Sequence, residues 1–435
     1  MSARLPLTPR ALASKLFGTR LGTNIASLYA VQGLNYLLPL LVLPYLLRVL
    51  GPDSYGSIAF AQSLLGYAVM LTDYGFNLSA TRAVSLARDD PQELARIFWS
   101  TMAAKLLLLA GSVAVLAPVV ALVPQFARQW QLFAVCGLAV VGSCAFPQWY
   151  FQGLERMRAV AVIQALTRLA ALVATFIFVH SSADQVAAAA ILSLPMLVAA
   201  GLCAMVIRSV APVGLHRPRV RDVREAFASS WHLFVSIAAG LLYLNTNSLA
   251  LGLMSGTYAV ALYTLANKVA LTVFNFLGPV VQATFPRASV VFGSPGRPEA
   301  QRFVLRLSAV LLPVAAASSV LLVIFAPVIV RIAAGAGYAA AVPVLRIMAV
   351  LPLLLTVATL LAQIIMINAG LSKSLSRVYL VVGVLNLVIL PLLIRGYAAS
   401  GAAVALVIAE LLGPILMLAA IRRARVFSGP PSGVS

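Results

Sequence analysis

Residues 208–226 read RSVAPVGLHRPRVRDVREA and carry five arginines: Arg208, Arg217, Arg219, Arg221 and Arg224. No apolar run passes through this stretch, and its position near the middle of the chain decides the architecture. Before it lie six apolar runs, at about 24–49, 55–77, 98–123, 131–152, 159–180 and 185–207. After it lie six more, at about 227–251, 257–281, 303–326, 342–368, 376–394 and 400–421. Each is long enough to cross a hydrocarbon core that takes ~20 residues of helix. In lipid every backbone polar group must be paired within the segment, and the alternation of a barrel strand is absent. The reading is an all-α integral membrane protein of about twelve transmembrane helices in two six-helix bundles. The expected divisions are 1–210, a basic cytoplasmic linker at 211–226, a second bundle at 227–425 and a flexible tail at 426–435.

Composition agrees. Of 435 residues, 62% are hydrophobic and 10% charged, and the mean hydropathy is +1.00. Soluble domains carry ~25% charged residues. A dozen crossings consume ~240 residues, which leaves no room for a soluble catalytic module. The net charge of +20 has a topological meaning. Of the 31 basic residues, 23 fall on the N-terminal side of the spans and five on the opposite side, with Lys105, Arg168 and Lys268 inside spans. Retention of basic loops in the cytoplasm then puts both termini there. Nucleic acid is excluded as a partner, because no basic helix is interleaved with stacking aromatics. The run from Ile25 to Leu47 is too long for a signal peptide and is read as a retained first span. Cys136 and Cys144 would stand ~12 Å apart on one helix, too far for a disulfide. His180, His216 and His232 have no ligand spacing, so no metal site is expected.

A weak repeat relates the two sets of spans. Ser54-Tyr55-Gly56-Ser57 opens the second span and Thr257-Tyr258-Ala259-Val260 the eighth. Arg82-Ala83-Val84-Ser85 follows the second and Arg287-Ala288-Ser289 the eighth. Copies separated by an even number of spans share orientation, as in transporters built from parallel repeats.

Residues 43–85, LPYLLRVLGPDSYGSIAFAQSLLGYAVMLTDYGFNLSATRAVS, contain a G-P-x-x-Y-G turn and a D-Y-G-F…A-T-R-x-V-S run. Residues 147–157 read PQWYFQGLERM. These motifs, together with Lys105 early in the third span, resemble the Wzx-type polysaccharide flippases. Those proteins form the polysaccharide-transporter branch of the multidrug/oligosaccharidyl-lipid/polysaccharide exporter superfamily. The resemblance implies two bundles around a central cavity, lined by spans 1, 2, 7 and 8. It also implies alternating-access transfer of an undecaprenyl-pyrophosphate-linked oligosaccharide to the outer leaflet of a bacterial inner membrane. Such proteins are not enzymes and hold no cofactor. A proton or sodium gradient drives them, and the polysaccharide polymerase and glycosyltransferases are possible contacts. The chain has no G-x-x-x-x-G-K-[ST] loop for a nucleotide.

The substrate class sets a requirement. An unpaired hydroxyl costs ~4–8 kcal/mol in a hydrocarbon-like medium, so a multi-sugar head meets a barrier above ~30 kcal/mol. Even ~25 kcal/mol allows less than about one event per hour. A wet path with fixed positive charge would carry the sugars and their phosphates. The candidate substrate ligands are Arg168, Lys268, Lys105, Asn35, Asn245, Asn247 and Asn275. The candidate ion-coupling carboxylates are Glu410 and Asp73. Each also has a structural reading. Arg168 or Lys268 would pair with Glu410, Asp73 with Lys105, and the asparagines would be interhelical hydrogen-bond partners worth ~0.6 kcal/mol each. Pro39 and Pro44 in the first span serve either bending or nothing beyond the usual tolerance of proline in membrane helices. Trp130, Trp149 and Tyr150, at span ends, are expected as interfacial anchors. Two rivals remain: an ion-coupled multidrug exporter of the same superfamily, which favours acidic cavity residues, and a membrane-embedded glycan polymerase, which needs a large outer loop and paired carboxylates.

Overall fold

A computed structural model describes residues 19–210, 213–293 and 297–427. Among these every regular element is a helix. In order they are α1 (Thr19–Asp73), α2 (Phe76–Leu86), α3 (Pro91–Leu122), α4 (Pro124–Ala127), α5 (Trp130–Ala145), α6 (Gln148–Gly153), α7 (Met157–Phe178), α8 (Gln185–Val210), α9 (Val220–Asn275), α10 (Gly278–Gly293), α11 (Arg297–Ala334), α12 (Ala341–Met348), α13 (Leu351–Thr359) and α14 (Ser372–Arg423). A π-helical segment, Leu360–Ile367, follows α13. Among the described residues, eight helices are long and apolar enough to cross a membrane.

The span count is recovered from the three longest helices. A straight helix of 55 residues, the length of α1, would be ~82 Å long, against a hydrocarbon core of ~30 Å. Each long helix instead turns back at a non-helical residue. Those residues are Gly51 in α1 (φ 73°, ψ 175°), Gly256 in α9 (φ 84°, ψ 174°) and Ala398 in α14 (φ 46°, ψ −122°). Glycine takes this left-handed backbone without a Cβ clash. Gly51 and Gly256 share one conformation at the first turn of each half. With α1, α9 and α14 counted as hairpins, the path matches the expected crossings.

The connections segregate by charge. At the arginine-poor end, Ser54 donates to the Ser182 carbonyl at 3.3 Å, Gln129 to Ser57 at 3.2 Å, and Arg48 to the Ile332 carbonyl. At the arginine-rich end, Arg88 meets Glu155 at 2.7 Å and Trp99 donates to the Gly214 carbonyl at 2.9 Å. Ser289 there donates to Asn368 at 2.8 Å. Helix α9 starts at Val220, inside the expected linker, and runs on unbroken into the seventh span. Residues 428–435 of the expected tail lie outside the described residues.

The halves meet along α1 and α9. A Cβ on Gly56 would come within 1.9 Å of the Thr257 carbonyl oxygen, and one on Gly252 within 2.2 Å of the Phe60 ring. Small residues at these positions allow the backbone approach that drives helix association in lipid. Nearer the arginine-rich end, Tyr74 stacks on Phe234 with centroids 4.4 Å apart and planes at 15°.

The two quoted motifs pack on each other. Thr81 in α2 donates to the Trp149 carbonyl at 3.1 Å, and Arg88 donates to the Gly153 carbonyl at 2.8 Å. Trp149 and Tyr150 are not interfacial anchors: both are fully buried beside Phe98, with centroids 5.7 and 5.1 Å away. The reason is local. The chain leaves α5 through an extended Phe146, and Pro147 starts the short α6. That turn carries the aromatic triplet inward instead of continuing the span. Trp130 is exposed, as an anchor would be.

Candidate functional site

Two helices with regular polar stripes build the site. On α7, Gln164, Arg168 and Thr175 recur at four- and seven-residue steps, one face of a helix. On the second limb of α9, Lys268, Thr272 and Asn275 do the same. Both stripes border one cavity of about 550 Å³. Its remaining wall comes from α1 (Leu43, Leu46, Tyr55) and α8 (Ile191, Met196), so both halves contribute. The volume is within the ~300–1,000 Å³ usual for ligand sites.

Three of the expected ligands, Arg168, Lys268 and Asn275, therefore come together. Lys268 is positioned by Tyr55: its ammonium donates to the phenol oxygen at 2.7 Å and lies 5.4 Å from the ring centroid. One of its three N–H donors is spent on that bond. Among the described lining residues, two are cationic and none is a carboxylate. Such a cavity favours an anion with several acceptor oxygens, and guanidinium with ammonium supplies charge-assisted hydrogen bonds to phosphate. Gln164, Thr167, Thr272 and Asn275 add neutral donors and acceptors on the same wall.

The other expected residues lie elsewhere. Lys105 is fully buried inside the first half, outside the cavity lining, where its ammonium donates to the Ser143 carbonyl at 3.0 Å. It interacts electrostatically with Asp73 without a direct ion pair, and Asp73 accepts from Asn77 at 2.7 Å. Lys105 is thus satisfied by protein. Asn245 lies against Gly66 between the halves. Asn247 is buried in the second half, where it donates to the Tyr263 hydroxyl at 3.1 Å and accepts from Asn386 at 2.8 Å. Glu410, also buried, interacts electrostatically with Tyr263 and Tyr379. Spans 7, 8, 11 and 12 thus share one buried polar cluster, in which Asn386 Oδ1 has no hydrogen-bond partner among the described residues. The side chains of Asn35 and Pro39 lie outside the described residues.

Sequence reasoning missed Tyr55, Tyr263 and Asn386. Asn386 left a signal, being the one asparagine in the apolar run 376–394. Tyr55 left none as a partner of Lys268, because 213 residues separate them.

At the arginine-rich end, Arg96 bridges Glu93 at 2.7 Å, Glu225 at 3.2 Å and Asp222 at 3.3 Å. The Arg219 backbone N–H and then the Arg96 guanidinium hold the Asp222 carboxyl below the usual range. Glu155 is lowered in the same way by its hydrogen bond from Arg88.

Comparison with known proteins fits this architecture. Residues 21–292 match the family described as polysaccharide biosynthesis protein. A relative from Escherichia coli (strain K12), named "Putative O-antigen transporter", is 32% identical over 92% of this chain and 96% of its own length. Among solved structures, an inward-facing multidrug resistance MATE family transporter of the MOP superfamily superposes with a TM-score of 0.74. It covers 91% of this chain and 96% of that one at 14% identity. The lipid II flippase MurJ in an inward closed conformation gives 0.62 at 12% identity, covering 90% and 87%. These structures share the fold. A multi-pass helical membrane protein matched over this much of its length belongs to the polysaccharide biosynthesis protein family, as a transporter and not an enzyme.

Proposed function

We propose that this chain is a flippase that carries an undecaprenyl-pyrophosphate-linked oligosaccharide from the cytoplasmic to the outer leaflet of the inner membrane. The observation that carries the proposal is the pairing of Arg168 and Lys268 in one cavity between the halves with no carboxylate on its described walls. That charge pattern suits a pyrophosphate and opposes the cationic drugs of a multidrug exporter. In the proposed cycle the pyrophosphate oxygens accept from Arg168 and Lys268. The first sugars exchange water for Gln164, Thr167 and Asn275, and the polyprenyl tail stays in the bilayer. Arg48 at the Ile332 carbonyl and Gly56 against Thr257 close the arginine-poor end. Opening that end while Arg96 keeps its contacts with Asp222 and Glu225 at the arginine-rich end would release the head to the opposite leaflet. Proton or sodium coupling is assigned to the buried cluster of Glu410, Asn247, Tyr263 and Asn386, because a buried carboxylate linked to four spans can tie its charge state to their packing.

The test is a strain lacking the chain. Its lipid-bound glycan should accumulate facing the cytoplasm, and the wild-type gene should restore surface glycan. Equal appearance of glycan on the outer leaflet with and without the chain would refute the assignment.

A further inference from the structure

The segment that joins the two halves carries a second pattern, unrelated to the cavity. Its backbone is fixed on one side: Trp99 donates to the Gly214 carbonyl at 2.9 Å, and Gly214 lies against Ala95. His216 turns inward, to 3.6 Å from Asp222. Between these tethers Leu215 is 98% exposed, and Val220, at the start of α9, is 87% exposed. Two aliphatic side chains are thus held out on the connection between α8 and α9.

Charge reinforces the point. The nearby acids are already committed: Glu93, Asp222 and Glu225 surround Arg96, and Glu225 also accepts from Arg221 at 3.1 Å. Arg217, Arg219 and Arg224 have no side-chain ion pair among the described residues, and they flank the two exposed aliphatics. A short segment with protruding apolar residues and unneutralised arginines at a membrane boundary matches the chemistry of an anionic lipid surface. Apolar chains enter the acyl boundary and guanidiniums meet phosphate. Each arginine near such a surface is worth about five-fold in binding, and salt weakens it.

We infer that residues 213–224 form an interfacial anchor that binds anionic phospholipid headgroups of the leaflet at the arginine-rich end. The anchor fixes the connection between the halves to the membrane plane. This inference does not depend on the cargo.

The test uses the full chain with Leu215→Cys carrying an environment-sensitive fluorophore. Cys136, Cys144 and Cys203 are buried and do not compete for the label. Nanodiscs of phosphatidylglycerol with phosphatidylcholine are compared with phosphatidylcholine alone, and Val220→Cys serves as a second reporter. The expected result is blue-shifted emission quenched by brominated lipid in the anionic discs. That shift should be lost in phosphatidylcholine, in 1 M salt, or with Arg217→Gln, Arg219→Gln and Arg224→Gln combined. Emission from water in both discs would overturn the inference. So would an apolar signal that brominated lipid does not quench, which would show protein covering the segment.

Discussion

Lys268 shows how a charge is kept useful inside a membrane protein. Placing it at the middle of a span costs ~2.5–3.5 kcal/mol on insertion scales, so it needs water or a partner. Tyr55 offers a neutral acceptor and a π face, which orient the ammonium without cancelling its charge. Removing either cation from the cavity should cost a charge-assisted hydrogen bond of ~1.5–3 kcal/mol, or about 10- to 150-fold in transport. Tyr55→Phe keeps the ring and loses only the oxygen. Its transport should fall by a smaller factor of about 2- to 10-fold, measured by export of surface glycan at matched protein level. Lys105 makes the contrast. With a carbonyl and a carboxylate already in its surroundings, Lys105→Met should lower thermal stability more than it lowers the transport of protein that folds. Both lysines stand out in the sequence, because any charge within an apolar run does. Which one faces a cavity was not legible, since that depends on partners brought together by tertiary packing.

At the scale of elements, the helical hairpins are the defining device. Hydropathy placed the spans because lipid solvation leaves few alternatives, and Gly51-Pro52 and Gly256 mark two of the turns in the sequence itself. Ala398 does not, because nothing in an Ala-Ala-Ser-Gly stretch announces a left-handed residue. An alanine at φ 46° and ψ −122° is strained, so Ala398→Gly should stabilise the detergent-solubilised protein by ~1 kcal/mol. A rise in melting temperature checks it, and a fall would show that glycine's chain entropy dominates. Gly252→Ala should act in the opposite direction. Its Cβ would sit 2.2 Å from the Phe60 ring, and overpacking of this kind costs ~1–3 kcal/mol. The aromatic triplet at 149–151 was legible as a motif but not as a core. Span-end position looks the same for an anchor and for a residue folded inward, and only the break at Phe146 and Pro147 separates them.

Over the whole molecule, charge is distributed with a purpose at each depth. The arginine-rich end holds the halves together through Arg96 with Asp222 and Glu225. Asp222 and Glu155 titrate below the ordinary carboxylate range in the folded protein. Their contribution is therefore complete above the unfolded value of ~4 and is lost as pH falls through the lowered one. Melting temperature should be flat with respect to these groups from pH 8 to 5 and decline below about 4. In Asp222→Asn the acid decline should be shallower. In the second half, Glu410→Gln should abolish the dependence of transport on an ion gradient, and unchanged dependence would remove that assignment.

The central claim is that Arg168 and Lys268 bind the pyrophosphate of the lipid carrier. Its most direct test is equilibrium binding of undecaprenyl pyrophosphate to purified protein, comparing wild type with the folded Arg168→Ala/Lys268→Ala double variant. A loss of at least about 100-fold in affinity is the predicted result, from two charge-assisted contacts. Wild-type affinity in a monodisperse double variant with unchanged melting temperature would contradict the account.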